Sequence, residues 1–199
     1  AYTAPHWPLH ALPEDIAKYK GKYDKGWDKT REERLARMVD MGIINPKWKL
    51  SERDSIVTAW ENTENKEWWA ACMEVYAAMV DRMDQGIGKV INALEATNQL
   101  NKTLILFLAD NCGCAEVLTE KWGQSLHVPY YLKDGTPYKP GNDVTRFPGP
   151  EDTYMSYSTE WANVSNTTFR MYKHFIHEGG ISTPLIAHWP AGIKSTNRI

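Results

Sequence analysis

The stretch at residues 103–111, reading Thr-Leu-Ile-Leu-Phe-Leu-Ala and then Asp110-Asn111, restricts the fold more than any other part of the chain. Six of its first seven residues are apolar with no polar alternation, the pattern of a strand covered on both faces, as in a parallel sheet between helices. The polar pair falls at the carboxyl end, the edge at which open α/β sheets bind ligands. Asp110 and Asn111 together offer three side-chain oxygens, one group ionised, and these are hard donors of the type Ca2+ or Mg2+ takes. The pair therefore marks a candidate metal site. Asp and Asn also open turns, so a strand simply running into a turn stands beside that reading.

What surrounds this strand supports an α/β chain. Over residues 68–96, Ala71, Val75, Met79, Met83, Ile87, Val90 and Leu94 recur at three- to four-residue spacing, which predicts one long amphipathic helix. A short polar turn then leads into the strand, so helix followed by strand reads as half of a right-handed crossover. A second helix is predicted over 30–41, with Thr30 and Glu33 at capping-box spacing and Gly42 placed to close the end. Residues 2–13 carry Pro5, Pro8 and Pro13, which bias the backbone toward extended geometry and make a rigid loop presenting His6. Residues 113–170 hold five prolines and no sustained period, and an irregular stretch of that length in a compact domain is usually functional. Order returns at residues 173–180, Lys-His-Phe-Ile-His-Glu-Gly-Gly, where Gly179-Gly180 predicts a tight turn. A second buried strand follows over 181–190. Cys72 reads as core, and His10 and His188 as structural.

Composition narrows the partners. The chain of 199 residues has a formal net charge of -2 with acids and bases interspersed, which offers no electrostatic case for nucleic acid or anionic lipid. Its mean hydropathy of -0.54 and the lack of a long apolar run predict no membrane segment. Three cysteines without a CxxC spacing argue against a disulfide framework or a zinc site. Sequons at Asn101, Asn163 and Asn166 carry meaning only in a secreted eukaryotic chain. The first residues, Ala-Tyr-Thr-Ala-Pro-His, show no signal-peptide pattern and read as the start of a piece of a longer protein.

Three stretches stand in a fixed order: Pro5-His6-Trp7-Pro8, the strand ending Asp110-Asn111, and Lys173 five residues before Glu178-Gly179-Gly180 ahead of a strand ending Trp189-Pro190. Together they resemble the type I, formylglycine-dependent sulfatases of the alkaline phosphatase superfamily. Residues 154–190 look most like bacterial arylsulfatases. The resemblance implies a mostly parallel sheet flanked by helices with a long irregular active-site loop region, residues 1–199 being the later portion of one catalytic domain. It implies that Asp110 and Asn111 are ligands of Ca2+, that His6 contacts the sulfate ester and protonates the leaving oxygen, and that Lys173 binds sulfate. His177 and His174 flank the Lys173 loop, and His177 is a further candidate for substrate binding. The implied substrate is a sulfated carbohydrate or an aryl sulfate, and the implied compartment periplasmic or secreted.

Two departures matter. The family's nucleophile arises by oxidation of Cys or Ser in Cys/Ser-x-Pro/Ala-x-Arg, and none of Cys72, Cys112 or Cys114 has that context. The family's first pair of metal-binding aspartates also has no counterpart here. The expectation is therefore an enzyme whose formylglycine and remaining ligands come from the rest of the catalytic domain, and a chain that is inactive by itself. Where the family commonly has Gly after Asp-Asn, this chain has Cys112. A phosphodiester or phosphonate hydrolase of the same superfamily, and a non-catalytic carbohydrate-binding remnant, are the alternative readings.

Overall fold

A computed structural model describes residues 1–125 and 128–194. Along the chain it places α1 (Pro13–Ala17), α2 (Gly26–Asp40), α3 (Lys66–Ala96), β1 (Ile105–Leu108), α4 (Glu120–Ser125), β2 (Lys139–Pro140), β3 (Thr153–Tyr154), α5 (Ser158–Ser165), α6 (Glu178–Ile181) and β4 (Leu185–His188). Among the described residues, no helix is long and apolar enough to cross a membrane. Helices and strands thus coexist, as an α/β chain requires.

The long helix forms as its periodicity predicts, two residues longer at its start. Its first half is the buried half, with Trp68, Ala71, Cys72, Val75, Ala78 and Met79 in the core. The second predicted helix begins four residues early, at Gly26, so Thr30 lies inside it and is not its cap. The Thr30 hydroxyl donates instead to the Gly26 carbonyl at 2.6 Å, one turn back. Its end is as read: Gly42 takes φ of 70°, and Ile43 N–H donates to the Met38 carbonyl at 2.9 Å, the reverse turn that closes a helix with glycine.

The core is a tryptophan cluster between α2, α3 and α5. Trp27, Trp60, Trp69 and Trp161 meet edge-on or tilted, with centroids 4.7 to 6.3 Å apart. Buried indoles need an acceptor for their N–H. Trp27 finds the Thr58 carbonyl at 2.9 Å, Trp68 that of Arg146 at 2.7 Å and Trp161 that of Trp69 at 2.7 Å. α1 is tied to α3 through Asp15, which is buried and accepts from Lys18 at 2.8 Å, Arg82 at 2.6 Å and Gln85 at 3.3 Å. The hydrogen bond from Lys18 leads the causes that hold the Asp15 carboxyl below the usual range.

The stretch 113–170 is less irregular than its sequence predicts. It holds α5, on which Trp161, Ala162 and Val164 are almost fully buried. Asn163 and Asn166 are buried as well, so of the three sequons only Asn101 faces solvent in the folded chain.

The sheet differs from expectation. β1 and β4 are neighbours, but they run antiparallel, pairing Ile105 with His188 and Leu108 with Leu185. The parallel pair is the two-residue β2–β3 contact. A mostly parallel sheet is therefore not what the described residues form, nor is β1 covered on both faces: Leu106 and Leu108 are more than half exposed. The physical reason is that an apolar run fixes only the need for cover. It does not fix the direction of the neighbour or which residues supply that cover.

Candidate functional site

Three segments meet beside the carboxyl end of β1. The N-terminal loop is held in place by main-chain bonds: Leu9 N–H donates to the Met155 carbonyl at 3.0 Å and Gly149 N–H to the Leu9 carbonyl at 3.0 Å. The segment after Asn111 is held from α5, where Thr159 donates to the Ala115 carbonyl at 3.1 Å, and from Ser156, which donates to that of Glu116 at 2.6 Å. The Lys173 loop is drawn against it by the Lys173 N–H, which donates to the Gly113 carbonyl at 3.1 Å. Buried Asn166 joins the last two segments. Its Oδ1 accepts from Gly113 N–H at 2.9 Å, and its Nδ2 donates to the carbonyls of Met171 at 3.0 Å and Gly179 at 2.9 Å.

Gly179 and Gly180 do not simply turn the chain into β4. They lie in α6, and they let α6 touch the loop that carries Lys173. A Cβ on Gly179 would lie 2.2 Å from the Met171 carbonyl oxygen, and one on Gly180 would lie 1.9 Å from that of Phe175. No larger side chain fits there without moving backbone.

This arrangement brings His6 and Lys173 together: Lys173 Nζ is 3.2 Å from His6 Nε2, across 167 residues of sequence. An ammonium has no lone pair, so Nζ donates and Nε2 accepts, which leaves the Nδ1 proton for the Trp7 carbonyl oxygen at 3.0 Å. Behind the pair lies Glu116. Its carboxylate accepts from Trp7 Nε1 at 2.7 Å, from the Cys114 thiol at 2.7 Å and from His174 Nε2 at 3.1 Å. Trp7 packs edge-on against His6 at 4.6 Å and against Tyr154 at 5.8 Å. Glu116 and Cys114 are the members of this cluster that sequence reasoning missed, and Trp7 was read only as part of the Pro5-His6-Trp7-Pro8 motif, with no role of its own. The signal was available only as Ala115-Glu116 closely following a metal-ligand candidate.

The cluster's electrostatics follow from these bonds. Burial alone would raise the Glu116 carboxyl, but hydrogen bonds from Cys114, His174 and Trp7 and the charge of Lys173 outweigh it and hold Glu116 below the usual carboxylate range. The Cys114 thiol is pushed up to about 11, first by burial and then by its bond to Glu116. His6, Cys114 and Glu116 place donor atoms within 4.8 Å of one another, close enough to hold a metal ion. Two features oppose that role. The thiol keeps its proton, and the Lys173 ammonium already occupies His6 Nε2. As arranged, the cluster is a hydrogen-bonded network rather than an ion cage.

Asp110 is exposed and Asn111 partly exposed, just past the end of β1. The next residue ties them to α6: Cys112 N–H approaches the Gly180 carbonyl at 3.4 Å, and its thiol donates to the Ser182 carbonyl at 3.3 Å. Hard, outward oxygens on one ionised and one neutral side chain fit a Ca2+ ion as two of the roughly six to eight donors it takes. Among the described residues, the His177 ring makes no hydrogen bond to His6 or Lys173. The residue precedes α6 and lines a cleft with Trp48 and Phe169.

Comparison with known proteins gives a consistent picture. The family model described as Sulfatase matches residues 1–198. An uncharacterised sulfatase of Schizosaccharomyces pombe is 36% identical over 196 residues, covering 97% of this chain and 34% of that protein. The arylsulfatase of Klebsiella aerogenes is 33% identical over 204 residues, covering 100% of this chain and 41% of that protein. The chain thus spans between a third and a half of the length of these relatives. A crystal structure of Ps i-CgsB in complex with k-i-k-neocarrahexaose aligns over 96% of this chain and 22% of that one, at 23% identity and a TM-score of 0.41, a likeness too remote to carry an argument.

Proposed function

The chain belongs to the sulfatase family, and from that premise we propose that His6 and Lys173 bind and cleave a sulfate ester in an enzyme of which these residues form the later part of the catalytic domain. The observation that carries this reading is the 3.2 Å approach of Lys173 Nζ to His6 Nε2. A sulfuryl group entering between them would replace one hydrogen bond with two, one to each cation. Cleavage moves charge onto the bridging and peripheral oxygens, so fixed cations stabilise the transition state more than the ground state.

His6 has a second task. In its imidazolium form Nδ1–H still donates to the Trp7 carbonyl oxygen, and Nε2 carries the proton that passes to the leaving oxygen. Trp7 sets the ring's position, and Glu116 sets that of Trp7. Asp110 and Asn111 would hold Ca2+, which when bound would supply positive charge to stabilise the anionic group. The formylglycine and the other metal ligands belong in this reading to parts of the protein outside these residues. The chain alone therefore turns over no sulfate ester.

The test compares kcat/KM of His6→Ala with wild type in the full-length enzyme on a sugar sulfate and on nitrophenyl sulfate. A positioned acid contributes about 10²–10⁴-fold. The sugar sulfate, whose alkoxide leaves poorly, should slow by about that factor, and the nitrophenyl ester by much less. A parallel loss on both substrates rejects the acid role and keeps His6 as a sulfate contact. Unchanged turnover per folded molecule removes His6 from the site.

A further inference from the structure

Beyond the Lys173 loop lies a cleft of about 710 Å³ that the proposed chemistry does not use. One wall is aromatic: the rings of Trp48 and Phe169 lie 5.7 Å apart, and Trp48 is 48% exposed. Two cations, Lys49 and Arg170, line it and are exposed, and among the described residues neither side chain has an ion-pair partner. One carboxylate, Glu178, also lines the cleft, so the lining carries a net positive charge. His177 contributes a buried Nδ1 that has no hydrogen-bond partner among the described residues.

The cleft is built rather than incidental. Its two sides are tied together by Ser51 N–H to the Thr168 carbonyl at 3.2 Å, Thr168 Oγ1 to the Lys49 carbonyl at 3.0 Å and Ser51 Oγ to the Phe169 carbonyl at 3.1 Å. Arg31, itself buried, clamps Ser51 through its carbonyl at 2.8 Å and its hydroxyl at 2.9 Å. Arg170 and His177 of the lining flank Lys173 in sequence, and Gly179 N–H holds that loop by donating to the Arg170 carbonyl at 3.2 Å.

We propose that this cleft is a subsite for a sulfated oligosaccharide. A sugar ring lies against Trp48 and Phe169, and Lys49 and Arg170 take a sulfate other than the one being cleaved. Sugar rings present an apolar C–H face to aromatic planes and hydroxyls at their edges, which suits an open cleft with an aromatic wall and the unpaired imidazole nitrogen of His177. Two uncommitted cations on the same cleft select for an anionic substituent. The inference rests on the sulfatase reading for its link to catalysis, but its binding claim is tested separately.

The experiment measures, by calorimetry on the full-length protein, the Kd of a disulfated disaccharide and of its desulfated counterpart. Trp48→Ala should weaken both about three- to tenfold. The double variant Lys49→Gln/Arg170→Gln should weaken the disulfated sugar about tenfold or more and leave the desulfated one unchanged. All three side chains reach solvent, so an unchanged Tm checks that folding is intact. Wild-type affinity for the disulfated sugar in either variant overturns the subsite, as does equally tight binding of inorganic sulfate. Lys173→Ala separates the two readings. Retained nitrophenyl sulfate turnover in that variant sinks the catalytic assignment while leaving the cleft results standing, and lost turnover with unaffected cleft variants does the reverse.

Discussion

Asn111 and Cys114 are close neighbours in sequence, yet Asp110-Asn111 and Cys114-Ala115-Glu116 have opposite environments. The second group is braced by its own chain, with Trp7 on one side, His174 on another and α5 behind it. The first group projects from the end of an open ribbon and is positioned by its backbone. Side chains of the braced kind couple position to stability, because removing one leaves buried donors unsatisfied. Side chains of the open kind couple to whatever they bind and hardly to folding. Substitutions in the two groups should therefore separate ligand affinity from melting temperature.

The largest separation is expected for Asp110→Ala in the full-length protein. Loss of an ionised hard donor should weaken Ca2+ binding by more than about 100-fold, since removal of mere outer partners of metal ligands costs about 10–100-fold. The Tm of the metal-free protein should stay put. Equal Ca2+ affinity in variant and wild type, by calorimetry, would remove Asp110 from the metal site.

Glu116→Ala should behave in the reverse sense. It strands the buried Cys114 thiol and leaves the Trp7 N–H only the weak Cys114 sulfur acceptor at 3.3 Å, at a cost of about 1–3 kcal/mol for a buried unsatisfied group, while Ca2+ affinity stays within error. A denaturation curve with an unshifted midpoint would show that the brace contributes nothing. Asn111→Ala comes next, with a loss in Ca2+ affinity of about tenfold, smaller than for Asp110 because only a neutral oxygen goes.

The smallest effect concerns pH. The folded chain holds the Glu116 carboxyl below its ordinary value of 4.5. The unfolded chain therefore binds the proton first, and stability rises with pH through that window. This contribution is fully present above about pH 4.5 and is lost as pH falls through the lower folded value. Glu116→Gln should flatten the dependence of Tm on pH below about 4.5 and leave the slope above it alone. An identical acid slope in the variant would mean that another carboxylate governs it.

Much of the helical frame was legible. The α3 stripe and the Gly42 stop follow from periodicity and turn chemistry, which are local properties of the chain; the apolar runs mark where β1 and β4 lie but not their cover, since β4, expected to be buried, is exposed along its length. The helix α5 was not legible. Ser158, Thr159, Trp161, Ala162, Asn163 and Val164 are all buried, so no polar face remains to produce a helical period. The candidate site was legible in part. The order of the motifs proposes His6, Lys173, Asp110 and Asn111, and the structure sets His6 beside Lys173, whereas Glu116 and Asn166 had no motif to mark them. Their roles come from what they touch: Asn166 reads as a sequon and acts as the joint between the 113 segment and the Lys173 loop.

The sequence by itself determined where apolar faces and hard oxygens lie along the chain, because those are properties of neighbouring residues. Only the tertiary structure decided that β1 and β4 run antiparallel, that His177 lines a cleft with Trp48 and Phe169, and that His6 meets a lysine 167 residues away. Contacts of that kind depend on which buried donors find acceptors once the helices have packed. No period, spacing or charge pattern in a linear chain encodes the answer to that question locally.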